Sequence, residues 1–193
     1  MQLGTLAPLP ARAAWRHHSA RDATEIVTVR VLTDGCALSG VVAGVEDGRT
    51  WALSYEIEVD DTWRTRSAWV GSLAPGDPGE VVLTRTGERW TVDGRHLPEL
   101  DGLLDVDLEG SAMTNTLPVH RTDLADRTAA AAAYVRLDLT ARRLDQWYGP
   151  AEPVAGGGWT VRYAAPEFGA DFDLTYDAAG LVVEYPGLAT RLL

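Results

Sequence analysis

Lysine is missing from this 193-residue chain; all 17 basic residues are arginine. Without lysine there is no Schiff-base amine and no phosphate-loop lysine, so two large classes of chemistry fall away. The one cysteine, Cys36, can form neither an intrachain disulfide nor a thiolate metal cluster. Its neighbours Gly35, Ala37 and Leu38 make it read as a small apolar side chain. The four histidines, His17, His18, His96 and His120, lack metal-site spacing. No apolar run approaches the roughly 18 residues that cross a bilayer, and Met1 to Ala14 holds Arg12 and two prolines where a signal peptide would hold its apolar core. Basic charge is scarce as well. A net charge of −11 excludes the basic face that nucleic acid or an anionic membrane surface requires. These absences predict a soluble, cytoplasmic protein with no metal, no cofactor, no nucleic-acid partner and no integral membrane span.

What is present is alternation. Val27, Val29 and Val31 alternate with Thr28 and Arg30, while Trp51, Leu53, Tyr55, Ile57 and Val59 alternate with Ala52, Ser54, Glu56 and Glu58. Period 2 over nine residues is a long, half-buried strand. Asp60 to Trp63 turns it back into Arg64 to Val70, and Pro75 to Gly79 reads as a loop. Glu80 to Arg85 and Glu88 to Val92 pair around Thr86-Gly87, with Asp93-Gly94 as the next turn. Ala129 to Ala133 has the best helix propensity in the chain, yet the alternation of Val135, Leu137 and Leu139 favours strand there. Arg142 to Trp147 suits a single helical turn. Trp159 to Tyr163, Phe172 to Tyr176 and Leu181 to Tyr185 read as strands, the last two joined by a loop at Asp177 to Gly180. The predicted fold is all-β, one large antiparallel sheet curled into a barrel or half-barrel with an apolar cavity and few short helices. Residues 1–14 form an arm and 15–193 a single domain.

The densest polar stretch runs from Leu104 to Arg121. On a strand, Asp105 and Asp107 face one side while Leu104, Val106 and Leu108 face the other. Thr114-Asn115-Thr116 is turn chemistry, and Pro118 is expected to return the chain to an extended form. The two acids suit hydrogen bonds from Arg121 and the Thr-Asn-Thr turn, or from ligand hydroxyls. A charge-assisted arginine pair would pin the loop. Arg64 and Arg66 share one strand face and read as a solvated pair or as a clamp on an anionic headgroup. His120 reads as a solvated or hydrogen-bonded surface histidine. Seven tryptophans against two phenylalanines favour a cavity with both apolar and hydrogen-bonding walls.

The segments Asp105-Val-Asp-Leu108, Thr114-Asn-Thr-Leu-Pro-Val-His-Arg121 and Gly180-Leu-Val-Val-Glu-Tyr-Pro-Gly-Leu188 resemble the putative glycolipid-binding family, and so do Asp61 to Arg66 and Trp90 to Gly94. The likeness runs from about Trp15 to the C-terminus. Two positions depart from it: Ser111-Ala112-Met113 replaces a Thr-Pro-aromatic turn, and His120 stands where a second arginine is usual. The resemblance implies a barrel-like fold similar to bacterial lipoprotein-localisation factors, with an apolar cavity for a glycolipid. The expected ligand set is Trp63, Arg64, Arg66, Asp105, Asp107, Asn115, Arg121, Tyr185 and Arg191, with no catalytic residue. Arg191 is expected to reach a carboxylate near the acidic stretch. The alternatives are a hydrolase of a glycoside or lipid working through Asp105, Asp107 and His120, and a structural or interaction module with a filled core.

Overall fold

The computed structural model describes residues 6–18, 21–72 and 79–192, so most of the loop expected at Pro75 to Gly79 lies outside the described residues. Eight strands come first: β1 (Arg12–His17), β2 (Arg21–Leu32), β3 (Gly35–Glu46), β4 (Arg49–Asp60), β5 (Thr65–Ser72), β6 (Gly79–Thr86), β7 (Arg89–Val92) and β8 (Arg95–His96). Shorter elements follow: β9 (Asp105–Leu108), the helix α1 (Thr116–Arg121), β10 (Thr128–Ala129), β11 (Ala132–Val135) and β12 (Ala141–Leu144). The chain ends with β13 (Trp147–Pro153), β14 (Trp159–Ala165), β15 (Ala170–Tyr176), β16 (Val182–Tyr185) and β17 (Ala189–Arg191). Because β17 pairs with β1, the first and last blocks join into one antiparallel sheet of 14 strands, ordered β10-β13-β14-β15-β16-β17-β1-β2-β3-β4-β5-β6-β7-β8. A small second sheet, β12-β11-β9, has its β9–β11 pair parallel.

Laid flat, 14 strands would span roughly 60 Å. Instead Trp15 of β1, Leu38 of β3, Ile57 of β4, Val70 of β5 and Trp90 of β7 share one hydrophobic cluster, which a flat sheet could not achieve. The sheet is curled and open, with β10 and β8 at its two ends, so the closed-barrel form of the prediction fails. Most of the interior is filled by the chain itself. Residues 100–117 fill it with Leu100, Leu103, Val106, Leu108, Met113 and Leu117, all buried in the same cluster. Hydrogen bonds mark how this segment crosses the strands: Trp90 Nε1 of β7 donates to Leu103 O (2.9 Å), Thr65 N of β5 donates to Leu104 O (2.9 Å), and Ala112 N donates to Glu25 of β2 (2.7 Å).

Three local expectations are overturned. The residues Arg136 to Thr140 form a turn after β11, because Asp138 Oδ1 accepts from both Thr140 N (3.0 Å) and its hydroxyl, and Leu139 sits at φ 64°. The helical turn expected at Arg142 to Trp147 is occupied by β12, whose edge-to-edge bonds with β11 outweigh local propensity. Pro118 does not extend the chain: it lies in the first turn of α1, where its missing N–H would have no partner within the helix.

Candidate functional site

Three buried carboxylates organise the interior: Glu25, Asp105 and Asp107. Glu25 is fully buried on β2 and collects the Tyr55 hydroxyl (2.7 Å), the Ser111 hydroxyl (2.5 Å) and Ala112 N (2.7 Å), with His17 Nε2 at 3.4 Å. It clips the filling segment to the sheet. Gly40 makes this possible: it sits opposite Tyr55, and a Cβ there would come within 2.2 Å of the tyrosine ring. The sequence reading missed Glu25. The signal was present, since Glu25 lies in the inward phase of Ala23, Val27 and Val29, where an acid must find partners or stay protonated.

On β9 the alternation holds. Val106 and Leu108 enter the hydrophobic cluster, and Asp105 and Asp107 find polar partners. Arg121 grips Asp105 with two bonds, Nε to Oδ1 (3.2 Å) and Nη2 to Oδ2 (2.5 Å). Burial pushes the Asp105 carboxyl up, and the charge of Arg121 pulls it back in part. Among the described residues Asp107 has only the Thr114 hydroxyl (2.6 Å) and a backbone donor, and burial raises it to about 6.

Arg121 also forms one wall of an open cleft of about 730 Å³. Its floor is the inner face of β2 beyond the point where the filling segment stops: Val29 is half-buried and Val31 is 83% exposed although both are in the inward phase. Leu6 to Leu9 cross the cleft as a strap, held by Ala7 N donating to Ala178 O and Val29 N donating to Ala11 O. At the mouth the Trp63 ring stacks on His120, centroids 3.8 Å apart and planes 28° apart. Trp63 holds a left-handed backbone, φ 62°, rare for a bulky residue, in a turn fixed by Asp60 Oδ1 accepting from Thr62 N and Arg64 N. His120 is hydrogen-bonded, to the Ala179 backbone, but does not lie at the surface: it is largely buried, its Nε2 has no partner among the described residues, and burial lowers it to about 4. Gly180 lies against it, where a Cβ would be 2.8 Å from Nε2. Asp60, Asp61 and Asp123 line the rest of the rim.

The predicted ligand set divides in four. Trp63 and Arg121, with Asp105 behind, border the cleft. Asp107, Asn115 and Tyr185 border a second, smaller cavity. Arg66 is taken by Asp34 (2.8 Å), and Arg64, outside β5, is exposed with no ion-pair partner among the described residues, so the two do not form a clamp. Arg191 pairs with Asp177 in the β15–β16 loop, a carboxylate as expected but away from Asp105 and Asp107. The C-terminal turn at Pro186-Gly187 leads into β17, which is internal to the sheet, between β16 and β1. Among the described residues no group of three or more His, Cys, Asp or Glu side chains could hold a metal ion, and no helix is long and apolar enough to cross a membrane.

These features define a β-sheet protein whose single open, curled antiparallel sheet is filled by its own chain and carries a cleft at one rim. The chain belongs to the family described as putative glycolipid-binding, whose model matches residues 12–191. It is similar over its full length to a crystal structure of a DUF1089 family protein from Pseudomonas aeruginosa, at 28% identity and TM-score 0.69, covering all of both chains. No curated protein matches it significantly.

Proposed function

We propose that this protein binds an amphipathic lipid without transforming it, seating the apolar chain on Val29 and Val31 and an uncharged, hydroxyl-rich headgroup at the acidic rim. The observation that carries this reading is the uncovered apolar stripe: Val31 is 83% exposed on the face that is otherwise packed with core side chains. A volume of about 730 Å³ suits a drug-sized molecule. The headgroup follows from charge. Arg121 is neutralised by Asp105 and Asp60 is paired with Arg85 at 3.7 Å, which leaves Asp61 and Asp123 to make the rim negative, so a phosphate would be repelled, whereas sugar hydroxyls can donate to carboxylates and a sugar ring can stack on Trp63. A neutral glycolipid fits, in agreement with the family description.

The hydrolase alternative needs two acid–base groups about one bond. Asp105 is held by Arg121, Asp107 opens to another cavity and His120 stays neutral above pH about 4. Cys36, which also lines the cleft, is pushed up to about 11 by burial, far from a ready nucleophile. These features support a binder. On this reading the protein works in the cytoplasm, where its single cysteine stays reduced. The test is native mass spectrometry and calorimetry with octyl β-glucoside below micelle formation, beside octyl phosphate. Saturable binding of the glucoside, weak binding of the phosphate and loss of both in the exposed-site variant Val31→Asp are expected. Equal binding by Val31→Asp, or release of free glucose, would sink the proposal.

A further inference from the structure

The second cavity, about 270 Å³, lies between β9, β14, β16 and the loop after β14. Its walls are the rings of Tyr134, Tyr163, Phe168 and Tyr185, and Asp107 and Asn115 contribute to its lining. The rings form two pairs: Tyr163 and Tyr185 meet edge to face at 5.9 Å, and Tyr134 meets Phe168 at 5.5 Å. Asp107 is the anomaly among the buried acids. Glu25 has three close donors and a histidine, and Asp105 has an arginine, while Asp107 has a hydroxyl, a backbone donor and no cationic partner among the described residues. A carboxylate buried without a counter-charge is costly, and an aromatic-walled cavity beside it supplies the missing partner's place.

We infer that this cavity is a second binding site, separate from the cleft, for a small organic cation of the alkylammonium class, held by the Asp107 carboxylate and the π-faces around it. The chemistry is that of an aromatic cage: ring faces carry negative potential and attract a weakly hydrated ammonium without requiring directed hydrogen bonds. The volume falls just below the drug-sized range of about 300–1,000 Å³, which suits a headgroup and not a long chain. Charged neighbours agree in sign. Asp105, a like charge that disfavours ionisation of Asp107, is itself matched by Arg121, and Glu109 on the cavity lining stands near Arg136 at 3.9 Å. The tyrosines that feel Asp107, namely Tyr148, Tyr163, Tyr176 and Tyr185, are all raised by burial and stay neutral hydroxyls. Arg142 covers the Tyr134 ring from 5.3 Å and is paired with Glu167, so that one ring already hosts a cation.

The site therefore takes a cation only when Asp107 is ionised. Choline chloride is the probe, with 3,3-dimethylbutan-1-ol as its uncharged isostere, each titrated by calorimetry and by chemical-shift mapping at pH 7.5 and pH 5. Choline should bind saturably and displace resonances of Tyr163 and Tyr185, and the alcohol should bind at least about tenfold more weakly. Lowering the pH to 5 should weaken choline about tenfold, since only about a tenth of a group titrating near 6 is then ionised. Asp107→Asn, which preserves shape and should fold, must lose choline binding. Tyr185→Leu provides a second variant that leaves the carboxylate in place and should weaken binding severalfold. Equal affinity for the alcohol, unchanged binding by Asp107→Asn, or no saturable choline binding would each overturn the inference. Octyl glucoside binding at the cleft should survive Asp107→Asn, which separates failure of this site from failure of the other.

Discussion

Asp105 and Asp107 stand two residues apart on one strand face, yet their surroundings are opposite. Asp105 looks towards α1 and meets Arg121, which closes it off and lends its other side to the lipid-sized cleft. Asp107 looks towards β14 and β16 and meets tyrosines. One acid is spent on holding the structure together; the other is left with charge that the fold itself does not balance. The difference teaches that a repeated motif need not share a role. The cation five residues beyond the Thr-Asn-Thr turn, Arg121, reaches only one of the two acids.

The sharpest way to break this comparison is to remove the clip that positions both acids. Glu25→Leu should orphan the Tyr55 and Ser111 hydroxyls and Ala112 N at once, costing more than about 4 kcal/mol by urea unfolding, at about 1–3 kcal/mol for each buried group left unpaired. A loss below about 1 kcal/mol would mean that the filling segment docks without it. Arg121→Met should cost about 3–5 kcal/mol at neutral pH, because Asp105 is left buried and unpaired. That loss should shrink in acid, where Asp105 can take up a proton; a pH-independent loss would argue for packing and not charge.

Asp107→Asn should act with the opposite sign. Its folded-state value of about 6 lies above the ordinary carboxylate value of 3.8, so its contribution is fully present below about pH 4 and is lost as pH rises through 6. Removing the charge should therefore stabilise the protein by about 3 kcal/mol at pH 7 and by almost nothing at pH 3.5. His120, on the cleft side, runs the other way. Lowered from 6.5 to about 4, it contributes stability that is present above pH 6.5 and lost as pH falls through 4. The unfolding free energy of Asp107→Asn should thus decline more steeply from pH 6.5 to 4 than that of the parent, and a parallel pH profile would contradict the assignment. The smallest effects belong to geometry. Gly40→Ala should cost about 1–3 kcal/mol by displacing the Tyr55 ring. Trp63→Gly should change stability by less than about 1 kcal/mol, because relief of the left-handed backbone offsets the lost ring contact, while glucoside binding falls.

Much of the large sheet was readable because a half-buried strand writes its burial directly into period 2. The inward residues Trp51, Leu53, Tyr55, Ile57 and Val59 of β4 are all buried, and the turns at Asp60 to Trp63, Gly87, Asp93-Gly94 and Asp177 to Gly180 fall where their residue types placed them. The same rule failed between Arg136 and Trp147, where alternation was real but Asp138 terminated the strand and pairing with β11 recruited β12. It failed again at Pro118, since a proline at the start of a helix and a proline after a turn look alike without the helix around them.

The sequence by itself determined an all-β chain, the amphipathic long strands, the shared strand face of Asp105 and Asp107, and membership of a family through its Thr-Asn-Thr-Leu-Pro and Tyr-Pro-Gly segments. These are local properties, set by side-chain direction and turn chemistry within a few residues. Only the tertiary structure decided that the sheet stays open, that residues 100–117 fill it, that Glu25 holds them there, and that the apolar stripe emerges at Val31 beside Trp63 and His120. Each of those depends on contacts between residues far apart in the chain: Ser111 is 86 positions from Glu25, and Trp15 donates to Val182 O across 167. Such contacts are selected by shape and by the cost of burying an unpaired polar group, neither of which leaves a periodic mark in sequence.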